Sequence, residues 1–313
     1  MIIEAQDLKK SFGKKQAIKG VSFEIPAGQR VGLLGPNGAG KTTTINMMLG
    51  LLRPTSGDVT LFGESARKLS DAAKAKVGYV PQDMAFFPEL SGIDNVNYWA
   101  RLYGIPKKGR KQAVREALEF TELWDRRKDA AKTYSGGMQR RLNISCGIVH
   151  KPKLLFLDEP TVGVDPQSRN HILESARRLA DTGTSIVYTS HYMEEIQTLC
   201  ERVIIIDEGQ VVADGKLDAV VREHAPHSHM VLDFNDDNAA LAAEKKLGGS
   251  GLVETGGLER AETSITLRKT ADFDFAEFTK RVLELDLDVT SIREDKPTLE
   301  HVFLNLTGKT LRD

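Results

Sequence analysis

Apolar and polar positions alternate at the start of the chain. IIEAQDL (2–8) and AIKGVSFEI (17–25) each gather their apolar side chains on one face, the pattern of half-buried strands. Gly13-Lys14-Lys15 supplies the turn between them. RVGLLG (30–35) is different, a short apolar run ending in glycine, as expected of a strand buried on both faces of a parallel sheet. A helix is expected directly after it, with Ile45, Met48 and Leu49 at helical spacing and a stop near Gly50. Similar runs recur at VGYVP (77–81), LLFLD (154–158) and SIVYTS (185–190), separated by polar segments of helical period such as 109–123 and 166–180. Strands alternating with helices predict a parallel α/β sheet with helices packed around it. RVIIIDEGQVVADG (202–215) reads as a hairpin turning at Asp207-Glu208-Gly209.

The rhythm changes after residue 222. REHAPHSH (222–229) holds Pro226 with His224, His227 and His229. It reads as a solvated linker; metal ligation is the alternative, but no further ligand lies close in sequence. From 230 the order is β-α-β-β-α-β: HMVLDF, AALAAEKKL, LVET, SITLRK, FAEFTKRVLEL and DVTSIRED, with a last helix in TLEHVFLNLTG after Pro297. That succession predicts a small α+β unit of ferredoxin-like type. The expected domains are therefore 1–222, a linker 223–229, and 230–313. Charge shifts at the same place. Residues 230–313 carry 17 acidic against 11 basic residues, net −6, which leaves +5 for residues 1–229 of a chain whose net charge is −1.

At that net charge no bulk attraction to nucleic acid or to a membrane is expected. Cys146 and Cys200 have no CxxC spacing and read as small buried thiols in a reducing cytosol. Glu4, Gln6 and Asp7 interrupt the opening segment, so no secretory signal is expected there. No apolar run approaches the roughly 20 residues that span a bilayer; the chain is not expected to form a pore.

Gly35-Pro36-Asn37-Gly38-Ala39-Gly40-Lys41-Thr42 fits the phosphate-binding P-loop pattern in full. Wrapping a backbone round a phosphate requires glycines, and the amides with the positive end of the following helix hold the β-phosphate. Lys41 would bridge the β- and γ-phosphates of ATP, and Thr42 would offer its hydroxyl to Mg²⁺. A second element, Leu154-Leu155-Phe156-Leu157-Asp158-Glu159, buries four apolar residues and releases two carboxylates at the strand's end, where open α/β sheets place ligands. Asp158 would hold Mg²⁺ and Glu159 would polarise the attacking water. The bland alternative for such a pair is a helix cap or surface charge. A third element, Tyr134-Ser135-Gly136-Gly137-Met138-Gln139, opens a helix with Ser135 as N-cap and forms a second anion site.

With these three elements the chain resembles the ATP-binding-cassette (ABC) ATPases, whose signature reads SGGQ where this sequence has SGGM. The resemblance covers residues 2 to about 220, with the motifs in the family's order. It implies a P-loop NTPase fold with a parallel core sheet, an antiparallel N-terminal β subdomain and a helical subdomain. Phe12 would stack on adenine with Ala17 against the same base, and Thr43 would join the phosphate-contacting set. Gln82 would contact Mg²⁺ and the water, Asp165 would cross a dimer interface, and His191 would touch the γ-phosphate. Packing is the alternative for Phe12, and ordinary strand-end polarity for Gln82 and His191. Met138 and Val164 depart from the usual glutamine and leucine without removing a proposed catalytic group.

One P-loop and one signature per chain imply, in this family, that a complete site needs a second ATP-binding subunit. A head-to-tail dimer with two sandwiched ATPs is expected, as a homodimer or with a heterodimeric partner. Separately encoded integral-membrane transporter subunits are the other implied partners, which would place the chain in the cytoplasm on the inner face of the cell membrane; no nucleic-acid partner is expected. Phe86, Phe87 and Glu89 are the candidates for contact with the membrane partner, while Tyr98, Trp99 and Tyr103 fit either that role or the helical subdomain's own core. The PTLEHVFLNLTG ending resembles the C-terminal extension of ATPases in drug- and antibiotic-exporting systems, implying an exporter whose tail supports dimerisation or regulation. The rival expectation is a soluble ABC ATPase without a transport role.

Overall fold

A computed structural model describes residues 1–224, 229–248, 258–268, 273–295 and 298–308. Its strands are β1 (Ile3–Phe12), β2 (Lys15–Ile25), β3 (Arg30–Leu34), β4 (Ser56–Leu61), β5 (Glu64–Ser65), β6 (Val77–Val80) and β7 (Leu154–Asp158). They continue with β8 (Ser185–Thr189), β9 (Arg202–Asp207), β10 (Gln210–Lys216), β11 (His229–Phe234), β12 (Leu258–Ala261), β13 (Ser264–Arg268) and β14 (Val289–Asp295). The helices are α1 (Lys41–Met48), α2 (Asp71–Lys74), α3 (Gly92–Leu102), α4 (Lys107–Phe120), α5 (Gly136–Ile148) and α6 (Pro166–Asp181). After them come α7 (Met193–Leu199), α8 (Leu217–His224), α9 (Asp237–Gly248), α10 (Phe275–Glu284) and α11 (Leu299–Thr307). Among the described residues no helix is long and apolar enough to cross a membrane.

The fully apolar runs become the centre of a six-stranded sheet in the order β10-β9-β3-β8-β7-β6. Neighbours from β9 to β6 pair in parallel, and β10 returns antiparallel as the expected hairpin. Every residue of β7 and β8 is buried, which is why these stretches read as unbroken apolar runs. Because β3, β6, β7 and β8 run in one direction, the turns after them, at residues 35, 81, 159 and 190, open at one edge of the sheet. The alternating segments form an antiparallel sheet, β2-β1-β4-β5. One apolar core joins Ile3, Leu8, Ile18 and Val21 of that sheet to Ile45, Met47 and Met48 of α1 and to Phe156, Val187 and Ile204 of the parallel sheet. The start of α1 is therefore held between two layers.

Helices α3, α4 and α5 form the expected helical subdomain. Trp99 and Tyr103 belong to its packing: the Trp99 indole donates to the Ala85 carbonyl (2.8 Å), and Tyr103 stacks on His150 with ring centroids 3.6 Å apart. His150 Nε2 meets the Val77 carbonyl at 3.0 Å, while its Nδ1 is buried without a hydrogen-bond partner. Burial pushes the ring's pKa down from 6.5 to about 4. The unfolded chain therefore takes up this proton first as pH falls. Stability is intact above about pH 6.5, declines by about 1.4 kcal/mol per pH unit between 6.5 and 4, and levels below that. Urea unfolding at pH 7 and pH 5 should show this extra slope in the wild type and its loss in His150→Phe; parallel slopes would contradict it.

The chain divides into two compact units, Met1–Val220 with Leu306–Asp313, and Val221–Asn305. Of the segment expected as a linker, 223–229, residues 225–228 lie outside the described residues. Helix α8 runs to His224, its last turn carrying the basic Arg222 and His224, and β11 begins at His229. Basic side chains suit a helix C-terminus. His227 lies outside the described residues. In the second unit the sheet is antiparallel, in the order β12-β13-β11-β14, so two β-α-β segments interleave. Its core is Met230, Leu232, Phe234, Ile265 and Leu267 with Ala240, Leu247, Phe278 and Val282 from the helices. The strand expected at LVET (252–255) lies outside the described residues; the one described before β13 is Leu258–Ala261.

Candidate nucleotide-binding and hydrolysis site

Beyond β3 the chain turns through Gly35–Gly40 into α1. Gly35 is required by close approach: a Cβ there would stand 2.2 Å from the Ile206 carbonyl oxygen. Gly40 has φ 108°, and a Cβ would stand 2.3 Å from Ile18 Cδ1. No side chain caps the N-terminus of α1, so its first amides remain available to an anion. Lys41 is 8% exposed and its Nζ donates to the carbonyls of Gly35 (2.6 Å) and Pro36 (3.3 Å). Burial lowers its pKa, and the charges of Glu159 and Asp158 push it back up. The loop's cation and the carboxylates after β7 thus act on one another, although 117 positions separate Lys41 from Asp158. Asn37, Gly38 and Thr42 are exposed, Thr43 is half-buried and Ala39 is buried.

Asp158 and Glu159 both emerge buried at the end of β7. Thr189, on neighbouring β8, orients them: its hydroxyl donates to Asp158 Oδ1 (2.6 Å) and accepts from the Glu159 amide (2.9 Å). Burial, then the nearby Asp158 carboxylate, push the Tyr79 phenol up to about 12, so it stays protonated. Glu159 has φ 48°, a conformation costing a non-glycine residue on the order of 1–3 kcal/mol, which the Thr189 bond helps to hold. Glu159 Oε1 lies 2.7 Å from His191 Nε2, and its Oε2 is buried with no hydrogen-bond partner. An unpaired buried carboxylate oxygen suits a site completed by a water.

No group of three His, Cys, Asp or Glu residues able to hold a metal exists among the described residues. Mg²⁺ takes one or two protein oxygens and fills its shell with phosphates and water. The residues whose chemistry could hold it are Thr42 through its hydroxyl, Asp158, and Gln82 through its side-chain amide oxygen. Gln82 is exposed, and its backbone is fixed by two side chains of α5 that sequence reading missed. Arg140 donates to the carbonyls of Gln82 and, at 3.2 Å, Val162. Asn143 donates to the Pro81 and Asp83 carbonyls (3.2 and 3.4 Å) and accepts from the Ala85 amide (2.9 Å). Their signal was two polar residues three apart on one face of a buried helix.

Ser135 and Gly136 are exposed at the start of α5, where Ser135 Oγ accepts from the Met138 amide (3.3 Å) as its N-cap. Gly137 is buried beside Ser168. Among the described residues no hydrogen bond joins this signature to Gly35–Thr43. Asp165 caps α6, accepting from Ser168 N (2.9 Å) and Ser168 Oγ (2.7 Å), and those bonds hold its pKa below the usual carboxylate value. Phe12 is 51% exposed at the end of β1, so it is no core residue. Ala17 sits close to the loop, its carbonyl 3.2 Å from where a Gly40 Cβ would be. Phe87 and Tyr98, 46% and 44% exposed, meet edge-to-face at 4.9 Å on the surface. Phe86 is half-buried, and Glu89 pairs with Lys132 at 2.6 Å.

Residues 18–162 match the family model described as ABC transporter. The chain is 42% identical to the linearmycin resistance ATP-binding protein LnrL of Bacillus subtilis (strain 168), across 100% of both chains. It is 34% identical to the daunorubicin/doxorubicin resistance ATP-binding protein DrrA of Streptomyces peucetius, over 99% of this chain and 94% of that one. Among solved structures, a dimeric post-hydrolysis state of the ATP-binding cassette MJ0796 bound to ADP and Pi matches 69% of this chain and 98% of its own, with TM-score 0.62 and 25% identity. A P-loop over buried carboxylates, a signature helix and full-length likeness to ATP-binding proteins lead to one assignment: the chain belongs to the ABC transporter family and is one of its ATPases.

Proposed function

We propose that the chain binds MgATP at Gly35–Thr43 and hydrolyses it within a head-to-tail dimer, powering export through separately encoded membrane subunits. Lys41 neutralises the β- and γ-phosphates, and Thr42, Asp158 and Gln82 hold Mg²⁺, which supplies further charge neutralisation at the phosphates. Glu159 polarises the attacking water, Gln82 helps to place it, and His191 holds Glu159 and senses the γ-phosphate. Phe12 and Ala17 receive the adenine. Ser135, Gly136 and Gly137 of the second subunit close over the nucleotide, with Asp165 at that interface. The reading rests chiefly on Glu159, whose Oε1 is engaged by His191 while Oε2 is buried without a partner.

The exporter role draws on the resistance proteins and on the Nod factor export ATP-binding protein I of Paraburkholderia xenovorans (strain LB400), 35% identical over 99% of this chain. Phe87 and Tyr98, exposed beside the segment after Gln82, are the surface offered to a membrane subunit from the cytoplasmic side. The second unit serves dimerisation or regulation. Membrane fractionation with and without the membrane subunits tests the transport reading. The chain should pellet with membranes only when they are present, and the double variant Phe87→Ala/Tyr98→Ala should weaken that association. A chain that stays soluble in both cases would favour the non-transport alternative.

A further inference from the structure

Several buried polar side chains of the first unit converge on a residue that the roles above leave unused. Glu195, in α7, is 2% exposed. Its Oε2 alone accepts three hydrogen bonds, from Thr161 Oγ1 (2.9 Å), Tyr188 Oη (2.8 Å) and Ser190 Oγ (2.6 Å). All three donors are themselves buried. Oε1 faces Arg169 Nε at 3.3 Å, and that guanidinium lies 3.9 Å over the Tyr192 ring. A carboxylate so deep is costly to desolvate even when paired, and an apolar side chain of similar volume often packs at least as stably. What an acceptor-only carboxylate does that an apolar group does not is aim three hydroxyls at one point.

Two of the donors, Thr161 and Ser190, come from the turns that carry the hydrolytic pair, and the third, Tyr188, comes from β8 itself. Thr161 stands two residues beyond Glu159, and the Val162 amide reaches back to the Glu159 carbonyl at 3.3 Å. Ser190 precedes His191, and while donating to Glu195 its hydroxyl also accepts from the Tyr192 amide at 2.9 Å. The segment bearing His191 is therefore pinned on both sides. One carboxylate oxygen ties the turn after β7 to the turn after β8, and the side chains of those turns meet at the 2.7 Å contact between Glu159 and His191. None of Glu195's partners lies in residues 35–43.

We infer that Glu195 is a positioning residue for hydrolysis: it fixes the Ser190–Tyr192 turn against Thr161 and so keeps His191 on Glu159. The inference rests on the roles proposed above for Glu159 and His191. Glu195→Gln keeps the volume, but its NH₂ group must face either the hydroxyl donors or Arg169. In the full-length chain, kcat for MgATP falls at least about tenfold while KM for ATP stays within about threefold, because the phosphate loop is untouched. In a His191→Ala background the same substitution changes kcat by less than about twofold, since residues acting as a unit are not additive.

An equal kcat loss in both backgrounds would mark a general structural lesion and overturn the inference. So would a folded Glu195→Gln chain with wild-type kcat while His191→Ala is inactive, which leaves the proposed role of His191 standing. A His191→Ala chain with wild-type turnover would instead remove that role, and this inference with it. Should Glu195→Gln fail to fold, Ser190→Ala and Thr161→Val each remove one tether. Both should lower kcat at unchanged KM and lose that effect beside His191→Ala; wild-type kcat in both would overturn the inference.

Discussion

Glu159→Gln should lower MgATP turnover by about 100- to 1,000-fold, the range typical of losing a general base or one aimed electrostatic group, while ATP binding persists. The amide preserves the side chain's shape, and its oxygen can still accept from His191. What disappears is the charge and the basic oxygen Oε2, which is buried and unpaired at the end of β7. Lys41 and the amides of α1 are untouched, so nucleotide affinity should stay within a few-fold. Phosphate release, measured beside binding of a fluorescent ATP analogue, separates the two effects. Unchanged turnover would place the base elsewhere.

Lys41→Ala should have the opposite signature, with ATP affinity itself falling roughly 100-fold or more. The ammonium is held by the Gly35 and Pro36 carbonyls, from which a phosphate would draw it into charge-assisted bonds worth about 1.5–3 kcal/mol each. Two such bonds account for two or more decades, at about 1.4 kcal/mol per decade. Asp158 and Glu159 would also lose the nearby cation that offsets their repulsion of an incoming triphosphate. Lys41→Arg should not rescue, because a planar guanidinium cannot occupy the same narrow space. Calorimetric titration with ATP checks both variants, and wild-type affinity in Lys41→Ala would remove the loop as the nucleotide site.

What could be read from the sequence was whatever the chain keeps contiguous. The phosphate loop is eight consecutive residues between a buried strand and a helix, and Asp158-Glu159 ends an apolar run; position and chemistry are written together there. The second unit's alternation of strands and helices could be followed in the same way, apart from LVET, which lies outside the described residues. The supports of the site were not legible in this way. Thr189 lies 31 positions from Asp158, Glu195 lies 34 from Thr161, and Arg140 lies 58 from Gln82. Each reads as an ordinary polar residue until parallel pairing brings the strand ends together. The aromatic segment shows the same limit, for helical spacing did not say which rings α3 turns inward. Trp99 and Tyr103 are half-buried in contacts with the Ala85 carbonyl and His150, while Tyr98 stays at the surface.

In the proposed dimer, a second chain's signature completes each ATP site. Light scattering on Glu159→Gln with MgATP, beside the same chain carrying Ser135→Arg in addition, reads out this sharing. Glu159→Gln with MgATP should have a mass near twice the 34.6 kDa of one chain, and the double variant 34.6 kDa under the same conditions. A mass that MgATP leaves unchanged at one chain, or an equally stable dimer in the double variant, would contradict a site shared between subunits.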